Sequence, residues 1–508
     1  GLSYTTTYAY DGNGNMTQIT YPSGSKVTYV YDTSDRLTVV TGQNGPVIDT
    51  LATLGDYLPY GPYQTLTLGN GVATAVAYDS RYQFDGQTVT RGTQVYLNHD
   101  YAHDTNGNIT SISNLLDPPW GMTYVYDTLD RLESASRTGP PVGSIVYSYD
   151  FVGNRLTEGG SLGSSTYSYT NNLLMGVTGT KSKSFSYNAA GSTVTENSRA
   201  YVYSQDNRLI QVTDNGNTVG SYVYDGWGRR VKKTAGGQTV YYLYDQYDRL
   251  IAEINGSGQL TAGYAHLPDR PLIKVDVNGV AIKVYYYHTD HQGTPLLMTN
   301  TSGHKVWSAV LLPFGEPYDV NEDVDGNGIP VVNNLRFPGQ YYDAETGLHY
   351  NMMRDYNPQT GRYIESDPIG LAGGINTYIY VDVNPVNYAD PYGLNPVAAA
   401  IVGGSVGGPV GAVIGAGIGI IGGQILWDKV IKPWLNNDKL PTPPSDPSQT
   451  PGEGWEWRGK DPPGGKRGGW YNPGTGESLH PDLDHPAPIG PHWDYTDPKG
   501  NKRRLPCN

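Results

Sequence analysis

Along the first half of the chain, aromatic and small or polar positions alternate with a period of two and then break into a turn. The unit is Tyr-x-Tyr-Asp. It reads Tyr8-Ala9-Tyr10-Asp11, Tyr29-Val30-Tyr31-Asp32, Tyr124-Val125-Tyr126-Asp127, Tyr147-Ser148-Tyr149-Asp150, Tyr222-Val223-Tyr224-Asp225 and Tyr242-Leu243-Tyr244-Asp245. Tyrosines at i and i+2 lie on one face of a strand. Asp with the Gly or Asn that follows it makes a tight turn, because these residues tolerate left-handed dihedrals and bond locally. Arg36-Leu37, Arg131-Leu132, Arg155-Leu156, Arg249-Leu250 or Arg229 then opens the returning strand. Asp to Asp runs 21 residues (11 to 32), 23 (127 to 150) and 20 (225 to 245), room for two strands of about six residues and two turns. Weaker copies stand at Tyr78-Asp79, His103-Asp104, Tyr187-Asn188 and Tyr203-Ser204. The pattern predicts a mainly β fold, a long antiparallel sheet of stacked hairpins with tyrosine ladders; a fixed motif at a regular period argues against an ordinary β-sandwich.

Composition supports this. The chain has 66 Gly and 44 Tyr but only 5 Phe, with 16% charged residues. Tyr suits strands with one packed face and a wet hydroxyl rim. The net charge is −14, yet residues 452–508 hold eight Lys/Arg and eight Asp/Glu, so the acidity lies upstream of them. An acidic body argues against nucleic-acid binding by most of the chain. Cys507 is the single cysteine, so there is no intrachain disulfide framework. The chain opens inside a repeat at Gly1-Leu2-Ser3-Tyr4, which reads as part of a longer protein whose delivery or secretion module lies upstream.

From residue 285 the pattern changes. The text runs Tyr287-His288-Thr289-Asp290-His291-Gln292-Gly293, Pro313-Phe314-Gly315-Glu316, Arg336-Phe337-Pro338-Gly339-Gln340-Tyr341-Tyr342-Asp343, Gly347-Leu348-His349-Tyr350-Asn351, Arg354-Asp355-Tyr356-Asn357-Pro358, Gly361-Arg362-Tyr363-Ile364 and Asp367-Pro368-Ile369-Gly370-Leu371. These motifs, in this order, closely resemble the Rhs repeat-associated core; with the repeats upstream, the resemblance covers residues 1–394. It implies a YD-repeat sheet curled as part of a hollow shell that encloses a C-terminal toxin. The division is then 1–284 repeats, 285–394 core with a self-cleavage motif, 395–439 a Gly-rich apolar segment, 440–451 a Pro/Ser linker and 452–508 a small β/loop toxin tip.

The resemblance also implies chemistry at the boundary. Asp367-Pro368-Ile369-Gly370 is followed by Asp390-Pro391-Tyr392-Gly393-Leu394. In Rhs shells this paired motif is an aspartyl self-cleavage site, which places the cut between Leu394 and Asn395. Two carboxyl groups held close share one proton, so one serves as base and the other as acid. The intervening residues 371–389 number 19, where the family motif is usually written with 18, and Ser366 stands where some members have Arg. The plainer reading is that both Asp-Pro pairs only form turns.

Beyond Leu394, residues 397–427 carry no charge and place glycines at 403, 407, 411, 415, 419 and 423. Gly at every fourth position allows close helix approach in lipid, and 31 uncharged residues are long enough to span a bilayer. The segment reads as a transient membrane insert, an apolar plug inside the shell, or itself a pore-forming toxin. The tip holds four of the nine tryptophans (Trp455, Trp457, Trp470, Trp493) and three of the ten histidines (His480, His485, His492). His can move protons near neutral pH, cations such as Lys460 and Arg467 can stabilise phosphate, and Trp455 and Trp470 can stack on bases. This set suits a ribonuclease that uses no cofactor. The rival is a metal nuclease with His480, His485 and His492 as ligands of a divalent ion; Pro481, Pro486, Pro488 and Pro491 disfavour a ligand-bearing helix there. The plain alternative is a rigid Pro-rich loop. The tip also resembles bacterial polymorphic-toxin tips of the group numbered type 37, over Trp470-Tyr471-Asn472-Pro473 and Gly476-Glu477-Ser478-Leu479-His480-Pro481-Asp482-Leu483. Together these readings imply a secreted or cell-surface toxin with autoproteolysis, RNA or DNA as the tip's substrate, delivery of the tip into a target cell, and a cognate immunity protein in the producer. A membrane-depolarising toxin and an inert structural or adhesive shell are the alternatives. At about 57 residues without a disulfide, the tip is expected to be only marginally stable. The run Asp323-Val324-Asp325-Gly326-Asn327-Gly328 looks like the start of a calcium loop but has Asn334 at the twelfth position, and reads as a surface turn.

Overall fold

The computed structural model describes residues 3–137, 143–279, 281–394 and 397–398, and toward the C-terminus 446, 448–452, 454–463, 465, 467–474, 476–482, 492–496 and 502–506. The chain divides into two compact units, residues 1–420 and 421–508.

In the first unit, 30 strands from Thr7–Tyr10 to Pro317–Asn321 form one antiparallel sheet. Each strand pairs with the next in sequence, as in Lys26–Tyr31 on Leu37–Asn44 and Gln238–Tyr244 on Leu250–Asn255. The sheet runs without a break past residue 284 to Asn321. This is the meander of stacked hairpins that the repeat predicts.

The repeat's turn has a definite mechanism. The Asp side chain accepts the backbone N–H two and four residues on: Asp32 Oδ1 takes Ser34 N at 2.8 Å and Arg36 N at 3.0 Å, and Asp127, Asp150, Asp225 and Asp245 do the same. The third residue after the Asp takes a positive φ, at Asp35 (58°), Asp130 (58°) and Asp248 (61°), with glycine there in Gly14, Gly153 and Gly228. The left-handed demand therefore falls three residues after the Asp, and Asp or Asn meets it as well as Gly does. Where the position is Asp or Asn, its side chain has a second use. Asn15 Nδ2 donates to Asp35, Asn108 Nδ2 to Asp130, Asn154 Nδ2 to Asn172, and Arg229 pairs with Asp248 at 3.2 Å. These turns are thus tied to their neighbours along one edge of the sheet.

The two tyrosines also divide their work. The first packs inward: Tyr29, Tyr147, Tyr222 and Tyr242 are buried. The second sits at a β-bulge, with register shifts at Tyr31, Tyr126, Tyr149, Tyr224 and Tyr244. The extra residue there re-aims the ring. Its hydroxyl then donates to a carbonyl of the preceding repeat: Tyr126 to Ile109, Tyr149 to Leu132, Tyr224 to Leu209 and Tyr244 to Arg230, all at 2.7–2.9 Å. A Phe in this place would pack but leave that carbonyl without its partner, which accounts for the excess of Tyr over Phe.

The polypeptide then turns back on the sheet. Four short strands, β1 (Tyr341–Asp343), β2 (Leu348–Asn351), β3 (Arg354–Asn357) and β4 (Arg362–Tyr363), form a second antiparallel sheet that is almost wholly buried. This sheet and the segment after it bond to turns of successive repeats. Asn384 Nδ2 donates to Asn108 Oδ1 and the Asp130 carbonyl, Asn376 Nδ2 to Asn154 Oδ1, and Tyr378 Oη to the Gly191 carbonyl. Residues 341–394 thereby pack along the stacked turns and inherit their order. In the 323–328 turn, Asp323 accepts the N–H groups of Asn327 and Gly328, each at 3.0 Å; it is an Asx-type turn.

The second unit has a five-stranded antiparallel sheet: β5 (Glu456–Gly459), β6 (Gly468–Asn472), β7 (Glu477–Asp482), β8 (His492–Thr496) and β9 (Lys502–Pro506). Trp470, Leu479, Trp493 and Tyr495 form its core, with Trp455 and Trp457 packed against them. This corrects one expectation: Trp470, read as a base-stacking platform, is buried, and its ring packs edge-to-face with Trp457 at 5.5 Å. A sheet this small has few apolar residues, and its tryptophans are used to build the core.

Candidate self-cleavage centre and the C-terminal sheet

Both Asp-Pro motifs fold as variants of the repeat's own turn. Asp367 Oδ1 accepts Ile369 N at 2.9 Å, and Gly370, three residues on, has φ 60°. Asp390 Oδ1 accepts Leu394 N at 2.9 Å, and Gly393 has φ 68°. The turn-forming role of these aspartates is real, and it leaves the second carboxylate oxygen of each for other partners.

Those oxygens converge on one cation. Arg354, from β3, places the same guanidinium nitrogen 3.0 Å from Asp367 Oδ2 and 3.3 Å from Asp390 Oδ2. Its Nε donates to the Gly393 carbonyl at 2.6 Å and another of its nitrogens to the Thr377 carbonyl at 3.0 Å. The guanidinium lies 3.6 Å from the Tyr363 ring centroid. Tyr363 Oη donates to Asp390 Oδ2 at 2.8 Å and accepts from Asn351 Nδ2 at 2.7 Å, while Asn351 also holds the Asp390 carbonyl.

All three charged side chains are buried, each no more than 3% exposed. One positive charge faces two carboxyl groups, so the cluster is neutral only when one of them carries a proton. Burial pushes the Asp367 pKa up to about 6; Arg354 opposes the rise and the charge of Asp390 adds to it. Burial raises Asp390 as well, against the pull of Arg354 and of its hydrogen bonds from Leu394 and Tyr363.

The predicted scissile bond lies beside this pair. Leu394 is buried. Residues 390–394 lie in a loop closed by a two-stranded ladder, Tyr388 opposite Ala398 and Ala389 opposite Val397. A Cβ added at Gly373 would stand 2.3 Å from Asp367 Oδ2 and 3.0 Å from the Leu394 carbonyl oxygen. Carboxyl and carbonyl therefore share one small space that only a glycine leaves open. Gly373 has an ordinary backbone conformation, so Gly373→Ala is expected to fold and to crowd this space alone. It should slow any cleavage at Leu394 at least tenfold, read as the uncut fraction on a denaturing gel.

Behind the pair lies a second carboxyl pair. Asp355 and Glu365 are both 2% exposed, and Glu365 Oε2 accepts Asp355 N at 2.8 Å. Burial pushes Asp355 up to about 7 and Glu365 well above its usual value. The native state therefore keeps a proton that the unfolded chain releases near pH 4. The stability Asp355 contributes is full below that pH and is lost as pH rises toward 7. Asp355→Asn should reduce the difference in urea midpoint between pH 5 and pH 8; an unchanged difference would contradict the assignment.

The tip candidates divide. His480, on β7, is exposed, and its Nδ1 lies 3.3 Å from the Gly468 carbonyl at the base of the β5–β6 hairpin. Lys460 and Arg467 lie on that hairpin; Lys460 N donates to the Arg467 carbonyl, and the exposed Arg467 guanidinium pairs with Asp461 at 2.6 Å. His492 starts β8, opposite Asp482. His485 lies outside the described residues, as does the glycine-spaced segment after residue 398. Among the described residues no group of three or more His, Cys, Asp or Glu is placed to hold a metal, and no helix is long and apolar enough to cross a membrane. The sequence reading missed Arg354, Tyr363 and Gly373. Arg354 stands within a family motif and is a buried-core arginine, but nothing in its local sequence says which carboxylates it meets.

Comparison with known proteins agrees with this fold. The teneurin YD-shell family model matches residues 61–380, more than half of the chain, and the RHS repeat model matches residues 2–26 and 10–47. Double-stranded DNA deaminase toxin A of Burkholderia cenocepacia is 30% identical over 347 residues, covering 61% of this chain and 23% of that protein. The tRNA3(Ser)-specific nuclease WapA of Bacillus spizizenii is 27% identical over 353 residues, 66% of this chain and 14% of that protein. Toxin protein Tse5 of Pseudomonas aeruginosa is 41% identical over 112 residues, 22% of this chain and 8% of that protein. The chain thus spans less than a quarter of the length of these relatives. Among solved structures, the TcdB2-TccC3 complex superposes with a TM-score of 0.65 at 22% identity, covering 77% of this chain and 22% of that chain. A chain of Tyr-x-Tyr-Asp hairpins in one continuous sheet, matched over most of that sheet and the buried segment after it, belongs to the teneurin YD-shell family.

Proposed function

We propose that the chain is the C-terminal part of an Rhs-type toxin: a shell that cuts itself after Leu394 and so frees a C-terminal effector, a nuclease acting on RNA. The observation that carries the cleavage is the meeting of Asp367 and Asp390 on one buried Arg354 nitrogen, with Leu394 held by Asp390 through its N–H. Relatives named as a deaminase toxin, a tRNA nuclease and a toxin support the effector reading. Secretion, delivery into a target cell and a neutralising immunity partner follow from it.

The chemistry is hydrolysis. Ionised Asp390 takes a proton from a water molecule, and the hydroxyl bonds to the Leu394 carbonyl carbon. Protonated Asp367, on the carbonyl side, stabilises the developing oxyanion by hydrogen bonding. The carbon–nitrogen bond then breaks, and the proton taken from water ends on the departing Asn395 nitrogen. Arg354 keeps the pair in its singly protonated state and holds the loop through the Gly393 carbonyl. With Asp367 near 6 and Asp390 also raised by burial, cutting should slow as pH rises through about 6, where Asp367 loses its proton, and slow again at lower pH, where Asp390 gains one.

The glycine-spaced run 397–427 favours a second reading of the effector, membrane depolarisation. Expression of residues 395–508 in bacteria separates the two. RNA loss with membrane potential intact supports the nuclease; early depolarisation with intact RNA supports the membrane reading; no toxicity opposes both.

A further inference from the structure

Asp367 and Asp390 sit in matching turns against the same guanidinium, yet the cleavage reading gives them opposite duties. Each is held by backbone N–H groups of its own turn, among them Ile369 N to Asp367 Oδ1 and Leu394 N to Asp390 Oδ1, both at 2.9 Å. Each offers Oδ2 to Arg354, at 3.0 Å and 3.3 Å. Their side-chain partners differ at one point. Asp390 Oδ2 also receives a neutral donor, the hydroxyl of Tyr363 at 2.8 Å. Among the described residues Asp367 has no donor of this kind.

The direction of that hydroxyl is fixed by its neighbours. The Asp390 carbonyl can only accept, so the Asn351 group that faces it at 2.8 Å is the amide nitrogen. The same nitrogen donates to Tyr363 Oη at 2.7 Å. The phenol oxygen is thus used as an acceptor there, and its own proton is left to point at Asp390. The ring is buried, with the Arg354 guanidinium 3.6 Å from its centroid and the rings of Tyr356 and Tyr380 at 5.6 and 6.0 Å. Burial and the charge of Asp390 push the Tyr363 pKa well above its usual value, so the phenol keeps its proton throughout the range in which carboxyl groups titrate. Arg354 from β3, Asp367 from the first Asp-Pro turn and Tyr380 from the segment between the turns also act on or feel Asp390. Glu365, of the second carboxyl pair, feels Arg354. Among the described residues, Arg354 and Tyr363 are the side chains that donate to the Asp390 carboxylate.

We infer that Tyr363 is the positioning residue that makes Asp390, and not Asp367, the ionised member of the pair, and so the base of the cut. The inference rests on the cleavage reading above and names what sets the working pH of that site. Arg354 cannot make this choice, because the same nitrogen faces both carboxyl groups. Tyr363 breaks the tie, since a hydrogen bond donated to a carboxylate favours its charged form. While the phenol O–H binds Asp390, the shared proton stays on Asp367, where the mechanism needs it. Without that bond the proton is free to pass to Asp390, and the loop beside Leu394 then faces an acid where it needs a base.

The test follows self-cleavage of the full chain against pH. Pulse-labelled chain is collected uncut in urea and diluted into buffers from pH 4 to pH 8, and the cut fraction is followed with time on a denaturing gel. In the wild type the rate is expected to fall at low pH as Asp390 gains a proton, and at high pH as Asp367 loses one. Tyr363→Phe keeps the ring against Arg354 and removes only the hydroxyl. Its acid limb is expected to move up by about one pH unit, the size of one hydrogen bond to a charged group. The alkaline limb should move less, so the active window narrows. 3-Fluorotyrosine at position 363, a stronger donor of nearly the same shape, should move the acid limb down. A purely structural role would lower the rate at every pH and leave both limbs in place. Acid limbs that coincide with the wild type in both proteins overturn the role of Tyr363 and leave the cleavage reading standing. A wild-type chain that stays whole at every pH overturns the cleavage reading and the inference with it. The fluorinated chain differs from the wild type by one atom, so it decides the matter if the Phe variant does not fold.

Discussion

Asp390→Asn is expected to leave the chain whole. The change keeps the size of the side chain and the turn, since an amide oxygen can still accept Leu394 N, but it removes the group that, on the proposed mechanism, takes a proton from water. The buried cluster also loses its charge balance: Arg354 then faces a single carboxyl group, and Asp367, with a cation 3.0 Å away and no carboxylate neighbour, moves toward the ionised form. Base and shared proton are lost together, so the expected loss of cutting is complete on the timescale of purification. Asp367→Asn should give the same result through the acid side. A variant that still cuts at Leu394 at the wild-type rate would show that the pair is only two turns.

Arg230→Ala should have the largest effect on stability. Arg230 is 1% exposed and pairs through two nitrogens with buried Asp343, at 2.5 and 3.0 Å. Its guanidinium also lies 4.1 Å from the Tyr350 ring centroid and 5.0 Å from that of Tyr222. Burial would raise the Asp343 pKa, yet Arg230 and then Lys233 hold it below the usual carboxylate range. Removing Arg230 leaves that carboxylate buried with only Lys233 near it, 2.9 Å away, at a cost of about 3–5 kcal/mol. This pair joins the repeat sheet to β1, so the loss should appear as a lower urea midpoint and as loosening of residues 341–394. Arg230→Met with Asp343→Leu should recover most of the midpoint, because Lys233 keeps Glu345 as its partner at 3.2 Å and no charge is left unpaired. A midpoint unchanged by Arg230→Ala would contradict the role given to the pair.

The sheet was legible because its unit repeats. Tyr at i and i+2, then Asp, then Arg-Leu, names strand, turn and returning strand; Leu37, Leu132 and Leu250 are buried and start their strands. The left-handed position was not legible, because Asp35, Asp130 and Asp248 look like acidic surface residues until the turn is seen. At the boundary, the paired Asp-Pro motif pointed to both carboxylates through family resemblance. Arg354 escaped notice because its partners come from two later turns, and only packing against the repeat edge brings them together. The tip was read by composition, which found the histidines but assigned Trp470 to a ligand it does not face. The pairing of His480 with Asp494 and of Asp482 with His492 depends on strand register, which core packing and loops set and composition does not carry.

On the proposed mechanism the shell ends itself at Leu394. Intact mass and N-terminal sequencing of the purified wild-type chain test it most directly. The expected result is two fragments, one ending at Leu394 and one beginning at Asn395, both absent from Asp390→Asn. A single uncut species of 55.2 kDa, or a cut at any other bond, would contradict it.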